Sequence, residues 1–198
     1  MRNVLGVVGS LRRDSYNRRL LRHAAGVAPE RLRITVADDI VRLPLFDEDL
    51  EADGLPPEVA AAQGAIRSAD GVVIASPEYN FGVPGVLKNF VDWASRPPRR
   101  GAFIGKPVLL MGASSGRTGG TVQCQGQLRI SLAVLGAHVL PAPPVLVAEA
   151  GDKFDGDALV DETAREVSLL ALGRFLELVD AMSAGAGRRE APSTAAAT

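Results

Sequence analysis

Three short apolar runs constrain the fold more than any other feature of this sequence. They occupy residues 4–8, 71–75 and 106–111, and each leads into a loop rich in glycine, serine or proline. A nearly continuous apolar run of this length is typical of a strand buried on both faces. Helical stretches separate the runs, and strands that alternate with helices indicate a parallel sheet covered on both sides. The pattern therefore predicts an α/β sandwich.

Two weaker segments complete the predicted sheet. Residues 31–36 place Leu32, Ile34 and Val36 on one face, as in a half-covered edge strand, and residues 138–140 with 145–148 form a broken last strand. Five strands fit the flavodoxin-like order 2-1-3-4-5, in a three-layer sandwich with helices on both faces. In that order, a ligand lies at the carboxyl ends of strands 1, 3 and 4.

Apolar residues at helical spacing predict five helices. They are expected from Leu20 to near Pro29, over 59–69, from Pro84 onward, over 121–135 and over about 157–182. The stretch 41–57 is polar and contains prolines, so we expect a long loop that is functional or mobile. Phe90 and Trp93 are expected in the core or at a subunit contact.

Length and composition indicate one domain. We assign residues 1–183 to it and expect 184–198, which offer no pattern to bury, to form a disordered tail. A net charge of −1 gives no drive towards nucleic acid or an anionic membrane. The single cysteine, Cys124, excludes an intramolecular disulfide. With no signal-peptide pattern and no apolar stretch that would span a bilayer, we expect a cytoplasmic protein.

The loop after the first strand has the composition of an anion site. Residues 9–17 contain the hydroxyls of Ser10 and Ser15, the amide of Asn17 and the guanidinium of Arg12, directly before a helix. Free backbone N–H groups and the helix dipole attract an anion there, and the side chains complete a phosphate site. The alternative is that Ser15 or Asn17 only caps the helix and the arginines are solvated.

The loops after the third and fourth strands suit a flat ligand. In residues 76–85, Tyr79 and Phe81 offer apolar surface for a ring system, and Asn80 offers a donor and an acceptor. Residues 112–120 are rich in glycine, which lets backbone N–H groups approach a planar molecule. The alternatives are a stiff turn that covers the sheet edge and a mobile loop.

The sequence contains no arrangement of side chains that is typical of a catalytic acid, base or nucleophile. His23 and His138 are far apart and are interpreted as a helix-surface and a strand residue, and Cys124 as a small buried residue on a helix. Asp38 follows the edge strand, not the first strand. We therefore predict no catalytic side chain and no metal site, and a cofactor that carries the reaction.

The same three loops resemble those of the NADPH-dependent FMN reductase family, which includes bacterial quinone, chromate and azo-dye reductases. The similarity spans about residues 3–180. The matching segments are Gly9-Ser10-Leu11-Arg12 with Ser15, Asn17 and Leu20, then Ser76-Pro77-Glu78-Tyr79-Asn80, Val83-Pro84-Gly85-Val86-Leu87-Lys88-Asn89 and Asp92-Trp93, and finally Gly112-Ala113-Ser114-Ser115-Gly116.

This resemblance implies FMN as cofactor and a binding set drawn from all three loops. The set is Ser10, Arg12, Ser15, Tyr16, Asn17, Pro77, Glu78, Tyr79, Asn80, Ser114, Ser115 and Gly116. Members from the first loop would hold the phosphate. Those from the second would line the isoalloxazine, and those from the third would lie against its pyrimidine side, where backbone N–H groups near Ser115 and Gly116 would stabilise negative charge.

The family also implies NADPH or NADH as electron donor, and quinones, free flavin or similar small molecules as acceptors. Donor and acceptor would dock in turn at the same place. Homodimers or homotetramers with FMN near the subunit interface are implied as well. One position departs from the family: Gln123 stands where members often carry an arginine. That departure leaves the choice between NADPH and NADH open.

Two other functions fit a flavodoxin-like chain. One is a non-enzymatic electron carrier or redox-responsive interaction protein. A carrier is expected to be markedly acidic so that it steers towards basic partners, and the nearly neutral charge disfavours it. The other is a flavin-free regulatory domain, which would make the three loops coincidental.

Overall fold

The computed structural model describes residues 1–117, 120–141 and 144–189. In chain order the strands are β1 (Arg2–Val8), β2 (Leu32–Ala37), β3 (Gly71–Ala75), β4 (Pro107–Ala113), β5 (His138–Val139), β6 (Val145–Val147), β7 (Phe154–Asp155) and β8 (Ala158–Leu159). The α-helices are α1 (Tyr16–Val27), α2 (Glu48–Ala52), α3 (Pro57–Ser68), α4 (Gly85–Ala94), α5 (Val122–Val134) and α6 (Glu162–Arg189).

The main sheet is parallel throughout and has the order β2-β1-β3-β4-β5. β6 also pairs with β4, further along the strand than β5, so the last strand is broken as the sequence predicts. β3 and β4 are buried along their whole length, because helices cover both faces. The flavodoxin-like fold predicted from the alternating pattern is confirmed.

Each face of the sheet has its own apolar core. On one face Leu21 of α1 and Phe175 of α6 pack against β1, β3 and β4. On the other, Ile66, Phe90 and Leu128 bring α3, α4 and α5 against the same strands. Strands buried from both sides need apolar residues at successive positions, which explains their continuous apolar runs.

The segment 41–57 is more ordered than a plain loop. It contains α2, which Asp47 caps by accepting the N–H of Asp49 at 2.9 Å. The carbonyl oxygen of Pro44 accepts a bond from the Trp93 indole N–H and one from the Asn89 amide, both at 2.8 Å. Trp93 is therefore a fully buried core residue that holds this segment on α4, and it offers no surface for a subunit contact.

The chain before α6 differs from the prediction of a helix that begins near residue 157. It forms the antiparallel pair β7–β8, turning at Gly156 with φ +57°, which glycine adopts without strain. α6 then begins at Glu162 and continues to Arg189, past the predicted end at 182. The predicted disordered tail lies outside the described residues from 190 onward. The helices of the described ranges are all too short or too polar to span a lipid bilayer.

Candidate cofactor-binding site

Three loops begin at the carboxyl edge of the sheet, each directly after a strand. The first residue of each is still bonded to the neighbouring strand. The N–H of Gly9 donates to Ala75 at 2.8 Å, that of Ser76 to Met111 at 3.0 Å, and that of Ser114 to Val147 at 2.9 Å. The carboxyl ends of β1, β3 and β4 therefore fix the loops side by side.

One cleft of about 220 Å³ lies between these loops. It is lined by Ser10, Arg12, Ser15, Tyr16, Asn17, Pro77, Glu78, Tyr79, Ala113, Ser114 and Ser115. The structure thus brings together all the predicted binding residues except Asn80 and Gly116, which stand next to the cleft in sequence. Ala113, which belongs to the third matching segment but not to the predicted binding set, also lines the cleft.

Two buried hydroxyls, those of Ser10 and Ser15, line the cleft beside the N-terminus of α1. Ser15 caps α1, and its Oγ accepts the N–H of Asn17 at 3.3 Å; Ser10 Oγ accepts the N–H of Arg12 at the same distance. Within the described residues neither hydroxyl has a recorded acceptor for its own proton. Two donors are therefore available beside a helix N-terminus, where an anion is favoured.

Arg12 and Tyr16 form the outer wall of the first loop. The Arg12 side chain is 60% exposed and lies 4.0 Å from Asp14, with its guanidinium carbon 5.7 Å from the centre of the Tyr16 ring. That ring stacks in turn on Phe154 of β7, at a centroid distance of 6.1 Å. The β7–β8 pair, which the sequence did not predict, thus supports the position of Tyr16.

Asn17 has a structural role inside the cleft wall. Its side-chain amide donates to the carbonyl of Ala113 and accepts that residue's N–H, both at 2.8 Å. The side-chain amide of Asn17 is therefore bound to the backbone of β4. Its backbone N–H donates to Ser15 Oγ, so Asn17 acts on the cleft by holding the first loop in position.

Arg18 and Asp38 support the first loop, and sequence reasoning missed both. Arg18 is buried and donates to the carbonyls of Arg12 and Arg13 at 2.9 and 3.0 Å, and to the Asp38 carboxylate at 2.6 Å. Burial raises the pKa of Asp38, but hydrogen bonds from Arg18 and Arg22 outweigh it and hold the pKa below its ordinary value. The sequence signal that could have identified Arg18 is its position on the same face of α1 as the buried Leu21.

The second loop ends in a tight turn. Tyr79 and Gly82 exchange two backbone hydrogen bonds, and the residues between them, Asn80 and Phe81, have φ of 51° and 60°. This is the geometry of a type I′ turn, which asparagine tolerates and phenylalanine rarely adopts. Gln127 of α5 holds the turn by donating to the Phe81 carbonyl at 2.9 Å and accepting the N–H of Val83.

Glu78 connects the second loop to α5. Its carboxylate accepts the N–H of Cys124 at 2.9 Å, which satisfies a donor in the first turn of that helix. Cys124 is fully buried, as expected, with its Sγ 3.4 Å from Ser76 Oγ. Burial raises the pKa of this thiol to about 11, so it is protonated at neutral pH.

The third loop is pinned by the segment after β6. Glu149 and Ala150 donate their N–H groups to the carbonyls of Gly116 and Ser114 at 3.1 and 3.0 Å. The N–H of Gly116 is itself held by Ser114 Oγ at 3.1 Å, whereas that of Ser115 has no recorded partner in the described residues. Residues 118 and 119 of this loop lie outside the described ranges.

The remaining candidates are not among the residues that line the cleft. His23 is half-buried on α1, where its Nδ1 accepts the N–H of Leu159, and His138 is exposed on β5. Among residues 1–117, 120–141 and 144–189, no three or more His, Cys, Asp or Glu side chains are placed to hold a metal ion. Gln123 is exposed near the start of α5.

A doubly wound parallel sheet with a three-loop cleft at its carboxyl edge defines a flavodoxin-like protein. A model of the NADPH-dependent FMN reductase family matches residues 2–152, and the chain belongs to that family.

Individual relatives agree with this assignment. The NAD(P)H-dependent FMN reductase of Pseudomonas aeruginosa is 46% identical over 165 residues, which cover 83% of this chain and 88% of the relative. The quinone reductase of Escherichia coli is 38% identical over 182 residues, covering 89% and 96%. Among solved structures, the flavoenzyme NAD(P)H:(acceptor) oxidoreductase FerB from Paracoccus denitrificans superposes with a TM-score of 0.77 at 30% identity, covering 92% and 98%.

The family confirms the predicted class of activity, an NAD(P)H-dependent FMN oxidoreductase, and FMN with NAD(P)H as the cofactors. The cleft fits that cofactor. Two hydroxyl groups and a guanidinium line it at the N-terminus of α1, and the aromatic residue Tyr79 lines it from the second loop.

Proposed function

We propose that this protein oxidises NAD(P)H and delivers the electrons to quinones or free flavin, with FMN bound in the three-loop cleft. One observation carries the proposal. The buried hydroxyls of Ser10 and Ser15 line the cleft beside the N-terminus of α1, and in the part of the chain that the structure describes neither has a recorded acceptor for its own proton. Relatives named as quinone reductases support the acceptor class.

The first loop would hold the cofactor's phosphate. Ser10 and Ser15 donate their hydroxyl protons, Arg12 contributes a charge-assisted bond, and the first-turn N–H groups of α1 complete the set. Asn17 acts by fixing this loop against Ala113. Tyr16 closes the outer side of the loop.

The other two loops would line the ring system. Pro77 and Tyr79 present apolar surface, and Glu78 contributes backbone because its carboxylate is bound to α5. In the third loop the Ser115 N–H is the donor positioned to stabilise negative charge on a ligand, since Ser114 already holds the N–H of Gly116. When bound, FMN supplies the hydride acceptance and electron transfer that no side chain here offers.

Steady-state and anaerobic measurements test this function. With NADPH and a benzoquinone as substrates, double-reciprocal plots should be parallel, because the two substrates use one site in turn. Anaerobic NADPH or NADH alone should also abolish the protein's visible flavin absorbance. If neither donor does so within minutes, the electron-carrier function replaces the reductase. The cofactor released on denaturation should co-migrate with FMN, and recovery of FAD would contradict the assignment.

A homodimer, or a homotetramer built from it, would use the solvent face of α5. The exposed residues of this helix carry no charge: Val122, Gln123, Gly126, Gln127, Ile130, Ala133 and Val134. An uncharged face suits a second copy, because a two-fold axis places identical residues close together. The face is continuous with the cleft through the bonds from Gln127 to the Phe81 turn.

Light scattering tests the assembly against the monomer mass of 20.7 kDa. Ile130→Asp should lower the measured mass, whereas Leu169→Asp, an exposed apolar position on α6, should not. A monomer at micromolar concentration with full activity would contradict the assembly. We also place the protein in the cytoplasm, where reduced nicotinamide nucleotides are supplied.

A further inference from the structure

The β7–β8 hairpin reaches the cofactor cleft from outside the three loops. Phe154 of β7 stacks on the ring of Tyr16, which lines the cleft, at a centroid distance of 6.1 Å and an interplanar angle of 20°. Phe154 is itself buried in the apolar core on the α1 side of the sheet. The cleft wall at Tyr16 therefore rests on an element that supplies no lining residue of its own.

A second contact ties the hairpin to the same helix. His23 lies on α1 seven residues after Tyr16, and this spacing places the two residues on one face of the helix, about two turns apart. Nδ1 of His23 accepts the backbone N–H of Leu159 in β8 at 3.3 Å. Leu159 stands directly opposite Phe154 in the hairpin. This cross-strand pair thus contacts α1 at both Tyr16 and His23.

The pairing within the hairpin explains why Leu159 needs a partner on α1. Val160 donates its N–H to the carbonyl of Lys153 at 2.9 Å. Bonded and non-bonded pairs alternate along an antiparallel ladder, so the adjacent pair of Phe154 and Leu159 is non-bonded. The N–H of Leu159 therefore points away from β7, and His23 is its one recorded partner within the described residues.

The bond from Leu159 exists only while His23 is neutral. A neutral imidazole has one nitrogen that accepts, whereas both nitrogens of the protonated ring are donors. Protonation would set two donors against each other and leave the Leu159 N–H without a partner. Burial and, to a smaller extent, the positive charge of Arg165 on α6 lower the pKa of His23. The folded site thus favours the neutral ring.

The hairpin and α6 both pack on α1 and bring charges to this region. The charged residues of α1 up to His23, of the hairpin and of the first two turns of α6 are Arg18, Arg19, Arg22, Asp155, Asp157, Glu162, Arg165 and Glu166. Arg22 engages Asp157, at 3.4 Å. Arg165 is the residue whose charge acts on the pKa of His23. Uptake of a proton by His23 is therefore opposed while the hairpin is docked.

We propose that the β7–β8 hairpin is a positioning element of the cofactor site, docked on α1 by neutral His23, and that protonation of His23 in mild acid loosens it from Tyr16 and weakens FMN binding. The inference rests on the proposed function, which places FMN in the cleft. Once the hairpin is loosened, the pKa of His23 returns towards its ordinary value of about 6.5. The docked state therefore holds above that pH and is progressively lost below it.

FMN titrations of the apoprotein from pH 8 to pH 5 test the proposal. His23→Asn keeps an acceptor near the position of Nδ1 but does not titrate, and His138→Asn, at the chain's other histidine, is the matched control. At pH 8 wild type and His23→Asn should bind FMN with similar affinity. At pH 5 the Kd of wild type should exceed that of His23→Asn about three- to tenfold, the effect of one hydrogen bond.

Two comparisons make this result specific. The phosphate of FMN titrates in the same pH range, and comparing variants at one pH removes its contribution. His138→Asn should follow wild type throughout. An equal change of Kd with pH in wild type and His23→Asn would overturn the proposal.

NMR titration of the His23 ring gives a readout that is independent of measured affinity. Coupling between two sites is reciprocal, so saturation with FMN should lower the pKa of His23 further. The ring is identified by the loss of its signals in His23→Asn. A His23 pKa that FMN leaves unchanged would show that the hairpin does not act on the cofactor site.

Phe154→Leu separates positioning from simple stability. The substitution keeps an apolar core residue but removes the ring that stacks on Tyr16, so the Kd for FMN at pH 8 should rise about threefold. Urea unfolding at the same pH measures the stability of the variant. A purely structural hairpin would lower the free energy of unfolding and leave the Kd unchanged, which would contradict the proposal.

The two hypotheses fail in different ways. If the folded apoprotein does not bind FMN at pH 8, the proposed function is refuted and this inference falls with it. If FMN binds but neither its affinity nor the pKa of His23 shows the coupling, only the role of the hairpin is refuted.

Discussion

The side-chain amide of Asn17 and the backbone of Ala113 exchange two hydrogen bonds of 2.8 Å, across 96 residues of sequence. The pair joins the first turn of α1 to the end of β4. A residue that the motif suggests as a phosphate ligand thus holds two walls of the cleft at a fixed separation. Its contribution to cofactor binding comes through the backbone that it positions.

Asn17→Ala should lower stability and cofactor affinity together. The substitution leaves a buried N–H and a buried carbonyl of Ala113 without partners, which costs about 2 to 4 kcal/mol of unfolding free energy. Urea unfolding and FMN titration of the apoprotein measure the two effects. A variant that loses FMN affinity but keeps wild-type stability would show that the amide contacts the ligand directly.

Arg12→Ala should weaken FMN binding more than Arg13→Ala. Loss of a charge-assisted bond corresponds to a range of about 10- to 150-fold. We expect the lower end, about tenfold, because the Arg12 side chain is 60% exposed. Arg13→Ala should change the FMN dissociation constant less than about twofold. Equal losses from the two variants would indicate a diffuse electrostatic effect.

Phe81→Gly should stabilise the fold. Phe81 has φ of 60° and is 74% exposed, so its ring gains little from burial while its backbone is strained. Glycine removes the left-handed penalty of about 1 kcal/mol and completes an Asn-Gly turn. Phe81→Ala removes the same ring without relieving the backbone, and thermal unfolding of the two variants isolates the backbone effect. The idea fails if Phe81→Ala is as stable as Phe81→Gly.

Asp38→Asn should destabilise the protein at neutral pH and much less in acid. The pKa of Asp38 is lowered in the folded state, so the carboxylate stabilises the fold above its unfolded pKa of about 3.9. That contribution is lost as the pH falls through the folded-state pKa. The difference in unfolding free energy between wild type and variant should therefore shrink below about pH 4. A difference that stays constant from pH 7 to pH 3 would exclude the Arg18–Asp38 pair as its source.

Cys124 should be inert in the native protein. With a pKa of about 11, only about one thiol in a thousand is ionised at pH 8, and the side chain is fully buried. A disulfide reagent such as DTNB should react slowly with folded protein and fully after unfolding in guanidinium. Cys124→Ser should retain NADPH oxidation. Rapid labelling of native protein would show that the start of α5 opens.

The fold was largely predictable because its signals are local. A buried parallel strand needs an apolar run, and β1, β3 and β4 each show one. The β7–β8 pair was missed because strands of two residues leave no periodicity to detect. α2 was missed for a related reason: it is a single short helix with no buried residue, so no apolar face marks it.

The cleft itself was predictable from position, since a residue at the carboxyl end of a central strand must face it. Ser10, Ser15 and Tyr79 follow from that rule. The contacts that hold the loops do not. Arg18 meets Asp38 across 20 residues, and Gln127 meets Phe81 across 46. Such pairings depend on how the helices pack on the sheet, which one sequence does not specify.

The hydrogen bonds that hold the first residue of each loop on the sheet have a practical consequence for engineering. Gly9, Ser76 and Ser114 are each bonded to a neighbouring strand, so the sheet is held together up to the residue at which each loop begins. The turn from Tyr79 to Gly82 lies beyond the anchor at Ser76 and has Gln127 as its own support. A combinatorial library confined to residues 80–82 would therefore sample new shapes at the rim of the cleft while the phosphate end stays constant, and most of its members should fold.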